Sequence, residues 1–283
     1  MSLSIASLNS GSNGNCYFIG SATDAVLVDA GLSCAQALRR IGQLGIERKQ
    51  LRGIFISHEH TDHIRGLAAL SVSLDLPVYI NEGTLKATRT ALPKSQVHII
   101  AAGQSVRAGS LEVVPFSKNH DAADPLSFLV RHQDITAGVF TDIGHVCTEV
   151  SNRFSECHAA ILESNYDPVM LRNGRYPEHL KSRIVGGKGH LSNRQALDLF
   201  RDCRAPHLSL LLLGHLSAEN NCPGLVQELF APFAGNTTVA VAGRYAATEM
   251  YPIVGRSTDG PSLLVPRVMA APKQLSLFDF SAV

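Results

Sequence analysis

The stretch Gly53-Ile54-Phe55-Ile56-Ser57-His58-Glu59-His60-Thr61-Asp62-His63 decides how the rest of the chain is read. Its first four residues form an apolar run of strand length, and the polar residues begin where that strand ends. Three histidines and an aspartate then fall within six positions. Crowding such groups at the edge of a core costs free energy unless a partner satisfies them, and a metal ion is the usual partner. At a strand end alternate residues project to one side, so His58 and His60 can converge on one ion. The chain then turns, and Asp62 and His63 can face a second ion beside the first.

Two ions need more than four ligands. Later strand-like runs end in Asn119-His120-Asp121, in Thr141-Asp142-Ile143-Gly144-His145 and in Gly214-His215. His120 would complete a three-histidine site with His58 and His60. Asp62, His63 and His215 would form the other site, and Asp142 would bridge the two. This donor set has nitrogen and oxygen but no cysteine, which suits Zn²⁺ first, with Mn²⁺ or Fe²⁺ as alternatives.

Outward from this turn, residues 3–8, 16–20, 25–29 and 77–80 read as strands. Ser33 is placed to cap a helix that turns Leu38, Ile41 and Leu44 inward. The pattern predicts helices over 64–76 and 84–92, then β-like runs at 97–100, 110–116, 126–131 and 135–141. A helix near 146–155 and a strand at 159–163 follow, then an irregular polar stretch around 165–190. Ser192 with Gln195 three positions on is a capping box for the next helix. A strand at 208–213, a helix near 223–230 and a strand at 237–242 complete the series. Two β-rich halves with interleaved helices predict one domain of stacked layers over residues 1–243. Beyond 244, turn and linker residues suggest a loosely attached tail, 244–283.

The loop Asn9-Ser10-Gly11-Ser12-Asn13-Gly14-Asn15 tolerates positive φ and offers free backbone N–H groups. It reads either as an ordinary hairpin turn or as an anion-binding loop beside the site, with Ser12, Asn13 and Asn15 as substrate contacts.

Composition narrows the class. Hydrophobic residues make up 45% of the 283 and charged residues 17%, which excludes general disorder. A formal charge of +1 gives nucleic-acid binding no bulk support, so any basic surface has to be local. None of the six cysteines forms a CxxC pair, which suits buried free thiols in a reducing cytoplasm. Met1-Ser2-Leu3-Ser4 opens no secretion signal, and apolar runs such as 208–213 are too short to cross a bilayer. A soluble cytoplasmic protein without a membrane partner is expected.

His58-Glu59-His60-Thr61-Asp62-His63 resembles the HxHxDH signature of the metallo-β-lactamase superfamily, and His120, Asp142 and His215 fall in that family's order. The resemblance spans residues 1 to about 243. It implies an α/β fold, a four-layer αββα sandwich, with a two-metal site at one edge of the sheets. It also implies hydrolysis of esters, thioesters, amides or phosphodiesters. Glu163, in Leu162-Glu163-Ser164-Asn165-Tyr166-Asp167, and His190, in Gly189-His190-Leu191-Ser192-Asn193, narrow the branch. With Gly214-His215-Leu216-Ser217 they are similar to ribonuclease Z and its phosphodiesterase relatives. That likeness implies His190 as general acid, with Glu163 orienting it; the alternative is a structural hydrogen bond. Asp62, besides its ligand role, would accept the proton of the attacking water.

No insertion between 63 and 120, or between 142 and 163, could serve as a tRNA-binding arm, and a β-CASP domain has no room. The chain most resembles a short bacterial group, the YycJ/WalJ-like proteins, associated with DNA exonuclease activity. The marks are Ser10-Gly11-Ser12-Asn13-Gly14-Asn15, the run from Glu163 to Asp167, and Gly189-His190-Leu191-Ser192-Asn193, where Ser192 and Asn193 are further substrate-contact candidates.

Near the end, Gln274-Leu275-Ser276-Leu277-Phe278 resembles the short peptide with which bacterial polymerases and repair proteins bind the replication sliding clamp. Gln274 would hydrogen-bond at a pocket rim while Leu275, Leu277 and Phe278 fill apolar pockets, with Ser276 between them. The alternative is packing back on the chain's own domain. A clamp tether would raise the enzyme's effective concentration at DNA. The expected function is therefore a two-metal DNA exonuclease held at the clamp. An RNA or small-molecule phosphodiesterase, and a non-catalytic clamp adaptor with structural metals, are the competing readings.

Overall fold

Strands that are apolar on both faces need cover on both sides. The computed structural model, which describes residues 2–254, supplies it with two sheets back to back and a helix layer outside each. The first half runs β1 (Ser2–Asn9), β2 (Cys16–Gly20), β3 (Ala25–Val28), α1 (Cys34–Gln43), β4 (Leu51–Phe55), α2 (Thr61–Ile64), α3 (Leu67–Leu74), β5 (Val78–Ile80), α4 (Glu82–Ala87) and β6 (Val97–Ile99). The second runs β7 (Val106–Ala108), β8 (Leu111–Ser117), β9 (Leu126–His132), β10 (Ile135–Phe140), α5 (Thr148–Phe154), β11 (Ala159–Glu163), α6 (Pro168–Asn173), α7 (Glu178–Val185), α8 (Asn193–Cys203), β12 (Leu210–Gly214), α9 (Pro223–Phe230) and β13 (Thr238–Val241). A further strand, β14 (Tyr251–Val254), follows.

One sheet has the order β14-β1-β2-β3-β4-β5-β6 and the other β13-β12-β11-β10-β9-β8-β7. Each begins antiparallel and continues parallel, from β3 to β6 and from β10 to β13. Parallel neighbours bring their C-terminal ends to the same edge, and that edge is where α/β sheets present their chemistry.

Alternation along the strands divides the core. Val26, Val28 and Phe55 face the other sheet and pack with Phe128, Val139 and Leu212. Ala25 and Leu27 face outward and pack with Ile41, Leu67 and Leu70 under α1 and α3. Across the molecule, Leu211 and Leu213 lie with Val150, Phe200 and Phe230 under α5, α8 and α9. Each such buried Leu, Ile or Phe contributes about 1.5–3 kcal/mol. The four-layer αββα arrangement expected from the sequence is the one observed.

Local expectations fared unevenly. Ser33 and Ser192 cap α1 and α8, the latter through the expected box with Gln195. The helix expected over 64–76 is broken, with α2 ending at Ile64 and α3 starting at Leu67. Gly66 lies in the break because a Cβ there would stand 1.8 Å from the Leu32 carbonyl oxygen. Gly31 has the same role opposite, where a Cβ would meet the Asp62 carbonyl oxygen at 1.7 Å. These two glycines let the end of β3 press against the histidine turn.

The stretch 165–190, expected to be irregular, contains α6 and α7. Pro168, Gly174 and Pro177 cut it into pieces too short to show a helical period. The expected boundary at 243 falls inside the fold. Tyr251, Pro252, Ile253 and Val254 pair antiparallel with β1, and Ile253 is fully buried in the core between the sheets. Gln274, Leu275, Ser276, Leu277 and Phe278 lie outside the described residues. Among the described residues no helix is long and apolar enough to cross a membrane.

Candidate metal centre

Six strands deliver polar residues to one edge: Asp29 after β3, the 57–63 turn after β4, His120 after β8, Asp142 after β10, Glu163 at the end of β11 and His215 after β12. Asp29, Asp142 and His215 have φ of 63°, 55° and 54°. Left-handed backbone at a non-glycine residue costs about 1 kcal/mol or more, and it persists where surrounding packing dictates it. Here it turns each side chain inward as its strand ends.

The inward groups form two gatherings. In the first, His58 Nε2 and His120 Nε2 lie 3.1 and 3.3 Å from His60 Nδ1. In the second, His215 Nε2 and His63 Nε2 lie 3.5 and 3.6 Å from Asp62 Oδ2. Asp142 lies among both, with Oδ2 3.1 Å from His63 Nε2 and Oδ1 3.5 Å from His215 Nε2 and 3.8 Å from His120 Nε2. Each trio, and a third made of His58, His63 and Asp142, has geometry that could hold a metal ion. All seven residues expected as ligands are therefore brought together.

The far ring nitrogens fix the tautomers. His63 Nδ1–H donates to Asp29 Oδ2 at 2.7 Å, His120 Nδ1–H to the Gly189 carbonyl at 3.0 Å, and His215 Nδ1–H to Glu163 Oε1 at 3.0 Å. His58 Nδ1 rests 2.9 Å from Ser57 Oγ, which donates to Asp29 Oδ2 at 2.9 Å. Each of these four rings thus turns the lone pair of Nε2 toward the centre. Asp29 serves one ring in each gathering, directly for His63 and through Ser57 for His58. The sequence reading passed over Asp29 and Ser57; the available signal was Asp29 closing a strand just before Ala30-Gly31.

Charge completes the test of fit. Burial alone would raise the Asp142 carboxyl, but His215 and His63 hold it well below the usual carboxylate range. Burial would lower His215, yet Asp142, Asp62 and Glu163 push it up to about 10. Burial likewise opposes a proton on His63, and Asp142, Asp29 and Asp62 overcome it. In the first gathering burial wins: His58 falls well below its ordinary value and His120 to about 4. The buried carboxylates thus draw positive charge onto His63 and His215, while His58 and His120 reject a proton. Asp142 Oδ2 and His215 Nε2 are buried without a hydrogen bond. Divalent cations satisfy both conditions at once, and the residues fit them.

Glu163 is fully buried and shared. Its Oε1 accepts from His190 Nδ1 at 2.6 Å and from His215, while Oε2 accepts from the backbone N–H of Ile143 at 2.8 Å. Burial would raise this carboxyl; His190 and His215 pull it down to about 2. The His190 side chain is 20% exposed, so the pair reaches from the buried shell to the open side.

The expected substrate contacts divide. Ser12 is exposed, and its Oγ accepts from Arg244 at 3.1 Å. Asn13 is half-buried and donates to the Arg244 carbonyl at 2.7 Å. Asn15 is fully buried and donates to Asp62 Oδ2 at 3.2 Å, so it positions a candidate ligand. Ser192 and Asn193 are corrected: both are buried and engaged within the fold. Ser192 caps α8, and Asn193 bonds Ser164 at 2.7 Å and Asn221 at 3.0 Å.

Residues 24–215 match the family described as beta-lactamase superfamily domain. The chain is 36% identical over 232 residues to a protein of Bacillus anthracis named exodeoxyribonuclease YycJ, covering 80% of this chain and 87% of that one. It is 32% identical over 219 residues to a Streptococcus pneumoniae protein named exodeoxyribonuclease WalJ, covering 76% and 81%. The metallo-beta-lactamase fold protein YhfI of Bacillus subtilis superposes with a TM-score of 0.66 at 17% identity, covering 87% of this chain and 99% of that one, a likeness of fold.

Proposed function

The chain belongs to the beta-lactamase superfamily, as a metal-dependent hydrolase of phosphodiester bonds, and on that premise we propose that it is a DNA exonuclease working with two divalent ions. The observation that carries this reading is the Glu163–His190 pair standing beside Asp142. The thiolate of a thioester leaves without such a proton source, whereas a sugar alkoxide, a much stronger base, needs one.

His58, His60 and His120 would hold one ion, and Asp62, His63 and His215 the other, with Asp142 between them. When bound, the ions supply Lewis-acid polarisation of the phosphoryl oxygens and a lowered pKa for the attacking water. The chain's own groups move the protons. Asp62, the most exposed of the carboxylate ligands, accepts the proton of the water as its oxygen bonds to phosphorus. His190 gives its Nε2 proton to the sugar oxygen as the P–O bond breaks. Glu163 holds Nδ1 and fixes the ring's direction.

Two relatives named exodeoxyribonuclease support DNA as the polymer. Product analysis on end-labelled DNA and RNA strands of matched sequence, with Mn²⁺ or Zn²⁺ added, tests it. Stepwise release of mononucleotides from DNA is the expected result. Turnover of RNA alone would overturn it.

The cytoplasmic, clamp-tethered setting belongs to the same reading. It is supported by the sequence Gln274-Leu275-Ser276-Leu277-Phe278. Pull-down by a bacterial sliding clamp tests it, and binding is expected to be lost in Leu277→Ala and Phe278→Ala.

A further inference from the structure

We propose that the segment leading to His190 is a DNA grip, in which Arg183 and Lys188 bind backbone phosphates flanking the scissile one. This inference rests on the nuclease reading above. Its first support is a local charge imbalance. Residues 165–190 hold five Lys or Arg against two Asp or Glu, a balance of +3 in a chain whose whole balance is +1. The basic residues are gathered in the one stretch that folds as α6, α7 and a glycine-rich loop beside the centre.

The second support is how these two cations are held. Arg183, on α7, is 56% exposed at its side chain, and its Nε donates to Asp121 Oδ2. The other oxygen of Asp121 is buried without a hydrogen bond, 3.3 Å from His120 Nε2. A carboxylate thus fastens the guanidinium to the rim of the three-histidine gathering. Among the described residues the terminal amino groups of Arg183 carry no hydrogen bond. A planar fork with one side fixed and the other free suits a phosphate.

Lys188 sits in Gly186-Gly187-Lys188-Gly189, immediately before His190. This loop is locked. The Gly187 carbonyl accepts from His145 Nδ1 at 2.8 Å, and the Gly189 carbonyl accepts from His120 Nδ1 at 3.0 Å. The loop backbone presses so closely on the turn after Asp142 that a Cβ on Gly144 would stand 2.5 Å from Lys188 Cα. Lys188 itself is exposed and has no ion-pair partner among the described residues.

An exposed lysine or arginine is ordinarily just solvated. These two differ because Asp121 fastens Arg183 beside His120, and Lys188 stands on a locked backbone two residues before His190. The centre is rich in carboxylates, which repel a polyanion, and this flank offsets that repulsion. Phosphate contacts carry no sequence information, as an exonuclease requires.

The test is fluorescence anisotropy of labelled DNA with phosphorothioate linkages that resist cleavage, using metal-loaded protein across a salt series. Arg183→Gln and Lys188→Gln are each expected to lower the slope of log affinity against log salt by about 1, and the double variant by about 2. Lys188→Gln removes no contact within the fold, so its result stands apart from any effect on folding. Slopes unchanged in both variants, with wild type still cleaving DNA, would overturn the grip and leave the nuclease reading standing. A wild type that neither binds nor cleaves DNA would overturn both. A change in slope with RNA but not with DNA would overturn the assignment to DNA.

Discussion

Glu163 Oε1 lies 2.6 Å from Nδ1 of His190, a side chain 27 positions further along the chain. The contact joins a fully buried carboxylate to an imidazole at the open side of the centre. It leaves Nε2 as the ring nitrogen that faces away from the carboxylate. On the reading proposed above, His190 is the proton donor.

The proton-donor role predicts an unequal effect of His190→Ala on two diesters. Cleavage of DNA is expected to fall about 10²–10⁴-fold in kcat, the usual contribution of acid–base help. Turnover of bis(p-nitrophenyl) phosphate, whose leaving group departs without a proton, is expected to fall far less. Equal losses on both substrates would contradict the role.

Asp29 orients His63 directly and His58 through Ser57. Removing such a partner typically costs 10–100-fold in metal affinity. Asp29→Asn is therefore expected to weaken binding by about that factor, read by competition with a chromophoric chelator. Unchanged affinity would show that the two rings hold their directions without it.

Much of this centre was legible in the sequence, for one physical reason. Candidate ligands of a strand-end site cluster locally or terminate apolar runs, so His58, His60, Asp62, His63, His120, Asp142 and His215 stand out in the sequence. Asp29 and Ser57 did not stand out, because one aspartate at a strand end looks like any turn residue. Its meaning comes from β3 lying beside β4, a pairing visible only in three dimensions. Ser192 and Asn193 misled for the converse reason. Polar residues beside a functional histidine look like substrate contacts, but they hold α8 to its neighbours. The sheet strand Tyr251–Val254 was lost among turn residues because four residues are too few to show a period.

Away from the centre, Asp24 joins the β2–β3 turn to the β7–β8 hairpin and to β4. It accepts from Ser110 N–H at 3.1 Å, from Thr23 Oγ1 at 3.0 Å and from Arg52 Nε. Burial would raise its carboxyl, but Ser110 and Arg52 hold it below the usual carboxylate range. A group depressed in the folded state adds stability above its unfolded pKa, about 4, and loses it as pH falls further. Asp24→Asn is expected to cost about 1.5–3 kcal/mol near neutral pH, the range for hydrogen bonds to a charged group. Thermal melts should show the gap to wild type closing progressively below about pH 4. A gap independent of pH would contradict this.

Asp142 lies among both groups of candidate ligands, so a two-ion nuclease depends on it most. The direct measurement is cleavage of end-labelled DNA by chelator-stripped protein reloaded with Mn²⁺ or Zn²⁺, alongside Asp142→Ala, with bound metal counted in both. Two ions per wild-type chain are expected, with DNA shortened only when they are present. In the variant, bound metal is expected to be lost and cleavage to fall about 10³-fold or more. Reloaded wild type that leaves DNA intact, or a variant that cleaves as wild type does, would contradict it.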